Sequence, residues 1–182
     1  RATGMVMPLL FAPTAITGSL AVVVIPELAS LNAGNDKDRI GKTLSLAVKY
    51  SCIVSGFFFA LFAGCGVALG KLLYADETTG RYICVAAIAV LPMGANGLCV
   101  SALNSLGKET YTFISHAAGL AMLIAILFST VWFIGIYAYF VALIVSHVLS
   151  LAINLFNLSK LVKLDKKPLL HALFSYAFCA IA

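Results

Sequence analysis

Apolar stretches almost free of charge alternate with short polar links along the whole chain, and that alternation predicts the elements before any single residue is considered. Five windows of about 20 residues, the length an α-helix needs to cross roughly 30 Å of hydrocarbon, contain no Asp, Glu, Lys or Arg. The predicted spans are 4–27, 44–73, 82–106, 111–133 and 134–158, and a further apolar segment, 169–182, is expected to be the start of a sixth. Links this short force neighbouring helices to run antiparallel. The expected fold class is therefore all-α: a polytopic transmembrane helix bundle, five complete spans plus the start of a sixth. Because the sequence opens on Arg1 and stops inside an apolar segment, residues 1–182 are expected to be a fragment of a longer membrane protein.

Composition strengthens this picture, since 62% of the residues are hydrophobic and only 10% charged, against about 25% charged in an ordinary soluble domain. Charge also orients the bundle, because cytoplasmic links gather Lys and Arg. Lys37, Arg39, Lys42, Lys49, Lys108, Lys160, Lys163, Lys166 and Lys167, nine residues, fall on one side of the alternation, and Arg1, Lys71 and Arg81, three residues, on the other. The links 31–43, 107–110 and 159–168 are accordingly expected in the cytoplasm. A net charge of +5 suggests nucleic acid only where the basic residues form one patch; here they sit at span ends, so membrane lipids and not nucleic acid are the expected surroundings. The five cysteines occur singly, with no C-x-x-C pair, and read as small buried hydrophobes rather than metal ligands or a disulfide framework.

Three prolines, Pro8, Pro13 and Pro26, interrupt the first span, and Pro92 interrupts the third within "VLPMGANGL". A proline inside a helix deletes a backbone hydrogen bond and costs about 3 kcal/mol in water; in hydrocarbon the freed carbonyl needs another donor, for which Thr14 and Thr17 are placed near Pro13. Pro13, Pro92, Gly94 and Gly97 are thus hinge candidates, with plain packing as the other reading. At Pro26 the helix is expected to stop or bend. Glu27 then sits at the headgroup level, paired with Arg39 or Lys42, or else forms a gating salt bridge. In the second span Gly56, Ala60 and Gly64, then Gly66 and Gly70, form small-residue faces suited to close helix packing.

Polar residues inside the spans fall on faces. Thr3, Met7, Leu10, Thr14 and Thr17 share one face of the first span, and Ser45, Lys49, Cys52 and Gly56 one face of the second. His147, Ser150, Asn154 and Asn157, spaced three, four and three, stack on one face of the fifth. Such a stripe faces either protein or a wet cavity, because lipid leaves it unsatisfied; cavity lining and interhelical hydrogen bonding both fit. His116, in the fourth span, reads as a hydrogen-bonded interior residue or a proton carrier. "GKT" at 41–43 and "GK" at 70–71 lack the glycine and hydroxyl residue that complete a phosphate-binding loop. No catalytic set, metal-ligand cluster or cofactor motif stands out, and no enzyme activity is expected.

With orientation assigned, "GMVMPLLFAPTAITGSLAVVVIPELASLNAGNDKDRIGKT" resembles the multidrug/oligosaccharidyl-lipid/polysaccharide exporter superfamily, most closely its stage V sporulation protein B and polysaccharide-flippase branch. The resemblance rests on Gly4, Pro8, Pro13 within "FAPTAI", Pro26 and Glu27 before "LASLNAGND", and "ALNSLGKET" further along, with Ser105 where the family often has glycine. It implies a carboxy-terminal lobe of a bacterial plasma-membrane transporter of about 12 to 14 helices, two lobes related by pseudo-twofold symmetry, with alternating access between them. The implied activity is flipping of a lipid-linked oligosaccharide or peptidoglycan precursor. The implied partners are the lipid-linked sugar, membrane lipids and the amino-terminal lobe of the same protein.

On that reading Thr14, Thr17, Lys49, His147, Ser150 and Asn154 are candidates for the substrate cavity, and Pro13, Pro26, Glu27, Pro92, Gly94 and Gly97 for hinges or gates. Lys49 is either a contact for the substrate's pyrophosphate or a snorkelling anchor. An ion-coupled exporter of drug cations, from the same superfamily, is the first alternative and calls for a carboxylate in the cavity. A non-transporting membrane scaffold is the second.

Overall fold

A computed structural model describes residues 2–162, so that the segment 169–182 lies outside the described residues. Five α-helices follow one another: α1 (Ala2–Ala33), α2 (Lys37–Tyr74), α3 (Glu77–Ser105), α4 (Glu109–Ile134) and α5 (Tyr137–Leu161). All five are long and apolar enough to cross a membrane. No strand occurs among the described residues. The described residues are all-helical and of membrane-spanning character.

The helices overrun the apolar windows, most of all where a cap starts one early. Asp36 accepts from the backbone N–H of Arg39 at 3.2 Å and also pairs with its guanidinium at 3.3 Å, which satisfies a donor that the first turn of α2 leaves open. The polar residues 37–43, expected in a link, are thereby wound into helix. The connection shrinks to residues 34–36, with Asn35 at a φ of 55°. Pro26 does not stop α1, which continues to Ala33. A proline lacks only its own N–H, so the turns on either side keep their bonds, and Val22, whose carbonyl loses its partner, lies on an exposed face.

At the opposite end, Asp76 caps α3 by accepting from the backbone N–H groups of Thr78 (2.9 Å) and Thr79 (3.1 Å) and from the Thr79 hydroxyl (2.6 Å). These bonds, that from the Thr79 hydroxyl foremost, hold the Asp76 carboxyl below its ordinary value of 3.8. A carboxyl depressed in the folded state stabilises above its unfolded value, and the contribution fades as pH falls through the folded value. Asp76→Ala is therefore expected to lower the thermal midpoint in detergent at neutral pH, and the difference from the parent protein to shrink as the pH is taken below 3.8. A gap that stays constant across that range rules the cap out as its source.

α3 is the axis of the bundle and touches each of the other helices. α1 runs parallel to it, with Met5 beside Thr79 and Leu28 clustered with Leu103. α5 is parallel as well, since Tyr82 stacks on Phe140 and Asn96 meets Asn154. α2 and α4 are antiparallel to α3: Gly66 faces Cys84 whereas Gly70 faces Gly80, and the Thr112 hydroxyl bonds Asn104 just across the turn between α3 and α4. α4 is the outermost helix, its buried residues being Thr112, Ser115 and Gly119.

Of the small-residue faces on α2, the pair Gly66 and Gly70 makes the close approach to α3. Gly64, by contrast, has open space around it, and Ala60 is exposed. Two large apolar cores result, with a small third cluster of Ala21, Ala47 and Leu98 between α1, α2 and α3. One, around Leu10, Phe62, Ile83, Val90 and Phe140, lies toward the 75–76 turn; the other, around Leu28, Leu44, Val48, Cys99, Leu103 and Leu158, lies toward the 34–36 turn. Cys52 and Cys99 are buried in the second core, as expected of small hydrophobes, but Cys65 is exposed on the outer face of α2.

Candidate functional site

Between the two apolar cores, at mid-height of the bundle, the interior turns polar. α3 supplies Asn96, four residues after Pro92, and α5 supplies Ser150 and Asn154, which are spaced four apart and so share a face. The Asn154 side-chain amide donates to the Asn96 carbonyl oxygen at 2.8 Å, and the Asn96 amide donates to the Ser150 hydroxyl oxygen at 3.4 Å. Asn154 is 0% exposed. On the other flank of α3, two residues earlier in the sequence and so roughly half a turn round, Gly94 faces α2. A side chain there would run into the Ser55 hydroxyl and approach the Ser51 hydroxyl at 3.5 Å. Thr17 of α1, also buried, completes the belt; its hydroxyl donates to the Thr14 carbonyl at 3.1 Å.

This belt is not fully satisfied. The hydroxyl oxygens of Ser51 and Ser55 and the Oδ1 of Asn154 are buried without a hydrogen-bond partner among the described residues. Leaving such a group unpaired costs about 1–3 kcal/mol. Most serines and threonines elsewhere in these helices discharge their hydroxyls onto a carbonyl three or four residues back, as Ser45 does to Gly41 and Ser115 to Thr112.

The predicted site residues divide around the belt. Ser150 and Asn154 are buried and hydrogen-bonded to α3. His147 is half-buried, and on the α4 side it shares a cavity of about 170 Å³ with Ser150 and His116. Asn157 is half-buried further along α5. Thr14 donates to the Phe11 carbonyl at 2.7 Å and not to the carbonyl of Leu9 that Pro13 frees, so the two threonines do not repair the proline gap. Pro13 and Pro92 are buried in helices that run through them, while Pro26 is exposed. Gly94 lies in the close α2–α3 contact, but Gly97 is exposed with open space beside it.

Lys49 is exposed, although its face-mates Ser45 and Cys52 are buried. Glu27 is exposed and accepts from the Thr43 hydroxyl at 3.3 Å; of its two expected partners, Arg39 is engaged with Asp36, and Lys42 forms no ion pair with it. Sequence reasoning passed over Ser51, Ser55 and Asn96 as site residues. Asn96 carries the clearest signal, a carboxamide deep in an apolar span beside a proline; the two serines are ordinary in any helix and become notable only opposite Gly94.

Comparison with protein-family models, with curated proteins and with solved structures finds no match to this chain.

The function must accordingly be read from the belt itself. Its groups are neutral hydroxyls and carboxamides, able to hold water or the hydroxyls of a polar ligand. Among the described residues no cluster of His, Cys, Asp and Glu is large enough to hold a metal ion. Apart from the exposed Lys49 within α2, charged groups stand near helix ends instead, as in the Lys71–Glu77 pair, whose hydrogen bond and charge hold the Glu77 carboxyl below its ordinary value.

Proposed function

We propose that this chain is part of a membrane transporter, a flippase or exporter that moves a lipid-linked oligosaccharide or peptidoglycan precursor by alternating access, and that residues 1–182 form a carboxy-terminal lobe of a two-lobe protein of the multidrug/oligosaccharidyl-lipid/polysaccharide exporter kind. The observation that carries this reading is the under-satisfied polar belt at the middle of an otherwise apolar bundle. Buried polar groups left unpaired at bilayer depth are costly, and a set of them is suited to holding water or a polar cargo. Pro13 and Pro92, buried beside the belt in unbroken helices, support it because each removes one rung of the hydrogen-bond ladder and eases bending there.

The chain then sits in a bacterial plasma membrane with residues 31–43, 107–110 and 159–168 on the cytoplasmic side. The gathering of Lys37, Arg39, Lys42, Lys108 and Lys160 at the end bearing the 34–36 turn supports that orientation. An exporter of drug cations would want a carboxylate at the belt, and the acidic residues described stand at helix ends. The Asn96–Asn154 bond by itself also suits a non-transporting scaffold; the three orphaned polar atoms beside it favour transport.

The test is a flipping assay on the intact protein in vesicles, with a lipid-linked sugar against an amphipathic cation. Translocation of the lipid-linked sugar is expected, with loss of flux at normal expression when Pro92 or Pro13 becomes Ala. Uptake of the cation alone would replace this reading with the exporter, and no flux of either with intact folding would replace it with the scaffold.

A further inference from the structure

Residues 110–159 contain no Asp, Glu, Lys or Arg, and they fold into the α4–α5 pair with its turn at 135–136. The two ends of this pair differ. At the end bearing the 34–36 turn, Lys108 and Glu109 start α4, and Lys160 closes α5 with its ammonium 4.1 Å from the Phe156 ring centroid. At the other end Trp132 is 88% exposed and Phe133 85% exposed, with Ile134, Ile136 and Tyr137 exposed beside them. The second half of α4, residues 120–134, has no buried residue at all.

Ring contacts fix the height of that turn. Tyr82, in the second turn of α3, meets Tyr137 edge-on at 5.2 Å between centroids and stacks on Phe140 at 5.7 Å, so α5 starts beside the start of α3. At this height α3 carries Glu77 and Arg81 and α2 carries Lys71, whereas the α4–α5 turn carries only apolar and aromatic side chains. Two constraints then bound its depth. The exposed rings disfavour water, and no charged side chain beside them compensates. The backbone disfavours the hydrocarbon centre: α5 begins on Ile136 with no side-chain cap, so its first N–H groups lack the acceptor that Asp36 and Asp76 give to α2 and α3, and such groups go unsatisfied among acyl chains. The level that meets both constraints is the boundary of headgroups and chains, where Trp and Tyr place an apolar body in one and a polar tip in the other.

We propose that the α4–α5 turn is a lipid anchor, seated in the headgroup boundary of the leaflet on the side of the 75–76 turn, with Trp132 and Phe133 reaching the upper acyl chains and neither water nor protein covering them. Lipid thereby holds the end of α4 that no other helix buries. The inference rests on the membrane-spanning character of the helices alone; it is independent of the transport reading and of which side is cytoplasmic.

The experiment uses the full chain in phosphatidylcholine vesicles and follows the fluorescence of Trp132, the sole tryptophan of these residues, with Trp132→Phe as the blank. Lipids brominated near the glycerol end of the acyl chain are expected to quench it about twice as strongly as lipids brominated near the methyl end, and aqueous iodide about tenfold less than it quenches free tryptophan. Iodide quenching close to that of free tryptophan would put the turn in water, silence toward iodide and both lipids would put protein over it, and strongest quenching near the methyl end would put it in the bilayer centre; each result overturns the proposal. A second readout compares the two turns at this end in a cysteine-free background. The thiol of Thr78→Cys, at the exposed start of α3, should take a water-soluble maleimide about tenfold faster than that of Ile136→Cys, because the reaction needs a hydrated thiolate. Equal rates would count against the anchor, and the tryptophan reading needs only the parent protein, so a cysteine-free background that fails to fold leaves the test intact.

Discussion

Replacing Gly80 by alanine is expected to lower the stability of the bundle by about 3 kcal/mol, and replacement by leucine to prevent folding. A Cβ on Gly80 would lie 2.6 Å from the Val67 Cα and 3.0 Å from the carbonyl oxygens of Gly66 and Val67, and a Cβ on Gly70 would run into the backbone of Gly80 itself. These obstacles are main chain, so no rotamer change relieves them; α2 and α3 must move apart along their whole contact. Their contact is the broadest in the bundle. Gly64, two residues before Gly66, is the control, since it has open space around it. Gly64→Ala is expected to be neutral or to stabilise slightly, by up to about 1 kcal/mol from helix propensity. Thermal and denaturant unfolding in detergent measures both. If Gly80→Ala unfolds with the parent protein, the α2–α3 approach described above is wrong.

That contact also illustrates what the sequence can and cannot convey. Five charge-free windows announced five helices in the right order, because a membrane demands about 20 apolar residues per crossing and leaves few alternatives. Their ends were harder to place. Hydropathy marks where the apolar run stops, whereas a helix stops where its backbone hydrogen bonds run out, and Asp36 and Asp76 begin α2 and α3 outside the apolar runs. Pro26 misled for a related reason: a missing N–H weakens one rung without ending the ladder. Small-residue spacing offered two faces on α2, and nothing local separates Gly64 from Gly66. The choice is made by Gly80 and Cys84 on another helix.

The candidate site was half legible in the same way. The stripe on α5 showed a polar face at Ser150 and Asn154, and left open whether that face meets water or protein. The partner, Asn96, sits 54 and 58 residues away in sequence. No period within one helix could have paired them. The buried position of Ser51 and Ser55 opposite Gly94 is likewise a property of two helices taken together. Lys49 shows the converse, for it shares a face with Ser45 and Cys52 by spacing and yet is exposed, because the flank of α2 that carries it lies outside the contact with α3.

The Asn96–Asn154 pair carries the second large effect, and its two halves are unequal. Asn96→Leu strands the whole Asn154 carboxamide, whose Nδ2 loses its acceptor and whose Oδ1 already has no partner among the described residues. Asn154→Leu leaves the Asn96 Oδ1 without its donor, but removes that orphaned oxygen at the same time. Asn96→Leu should therefore cost about 2–3 kcal/mol and Asn154→Leu about 1 kcal/mol, within the span for a buried polar group left unpaired. The double variant should cost less than the sum, because replacing both partners with apolar groups of similar size leaves little to satisfy. Measured couplings between polar residues in membrane helices average about 0.6 kcal/mol and reach about 1.7, so a value near the top of that range is expected for this buried pair. Unfolding of the four proteins in one detergent, read as a double-mutant cycle, gives the coupling directly, and additive costs would mean that the 2.8 Å bond contributes nothing to the fold. The same four proteins also separate stability from transport. If the belt is only glue, the double variant that recovers its fold recovers flux with it; if the belt meets the cargo, that variant folds and moves nothing, since two leucines fill the space without offering a donor or an acceptor.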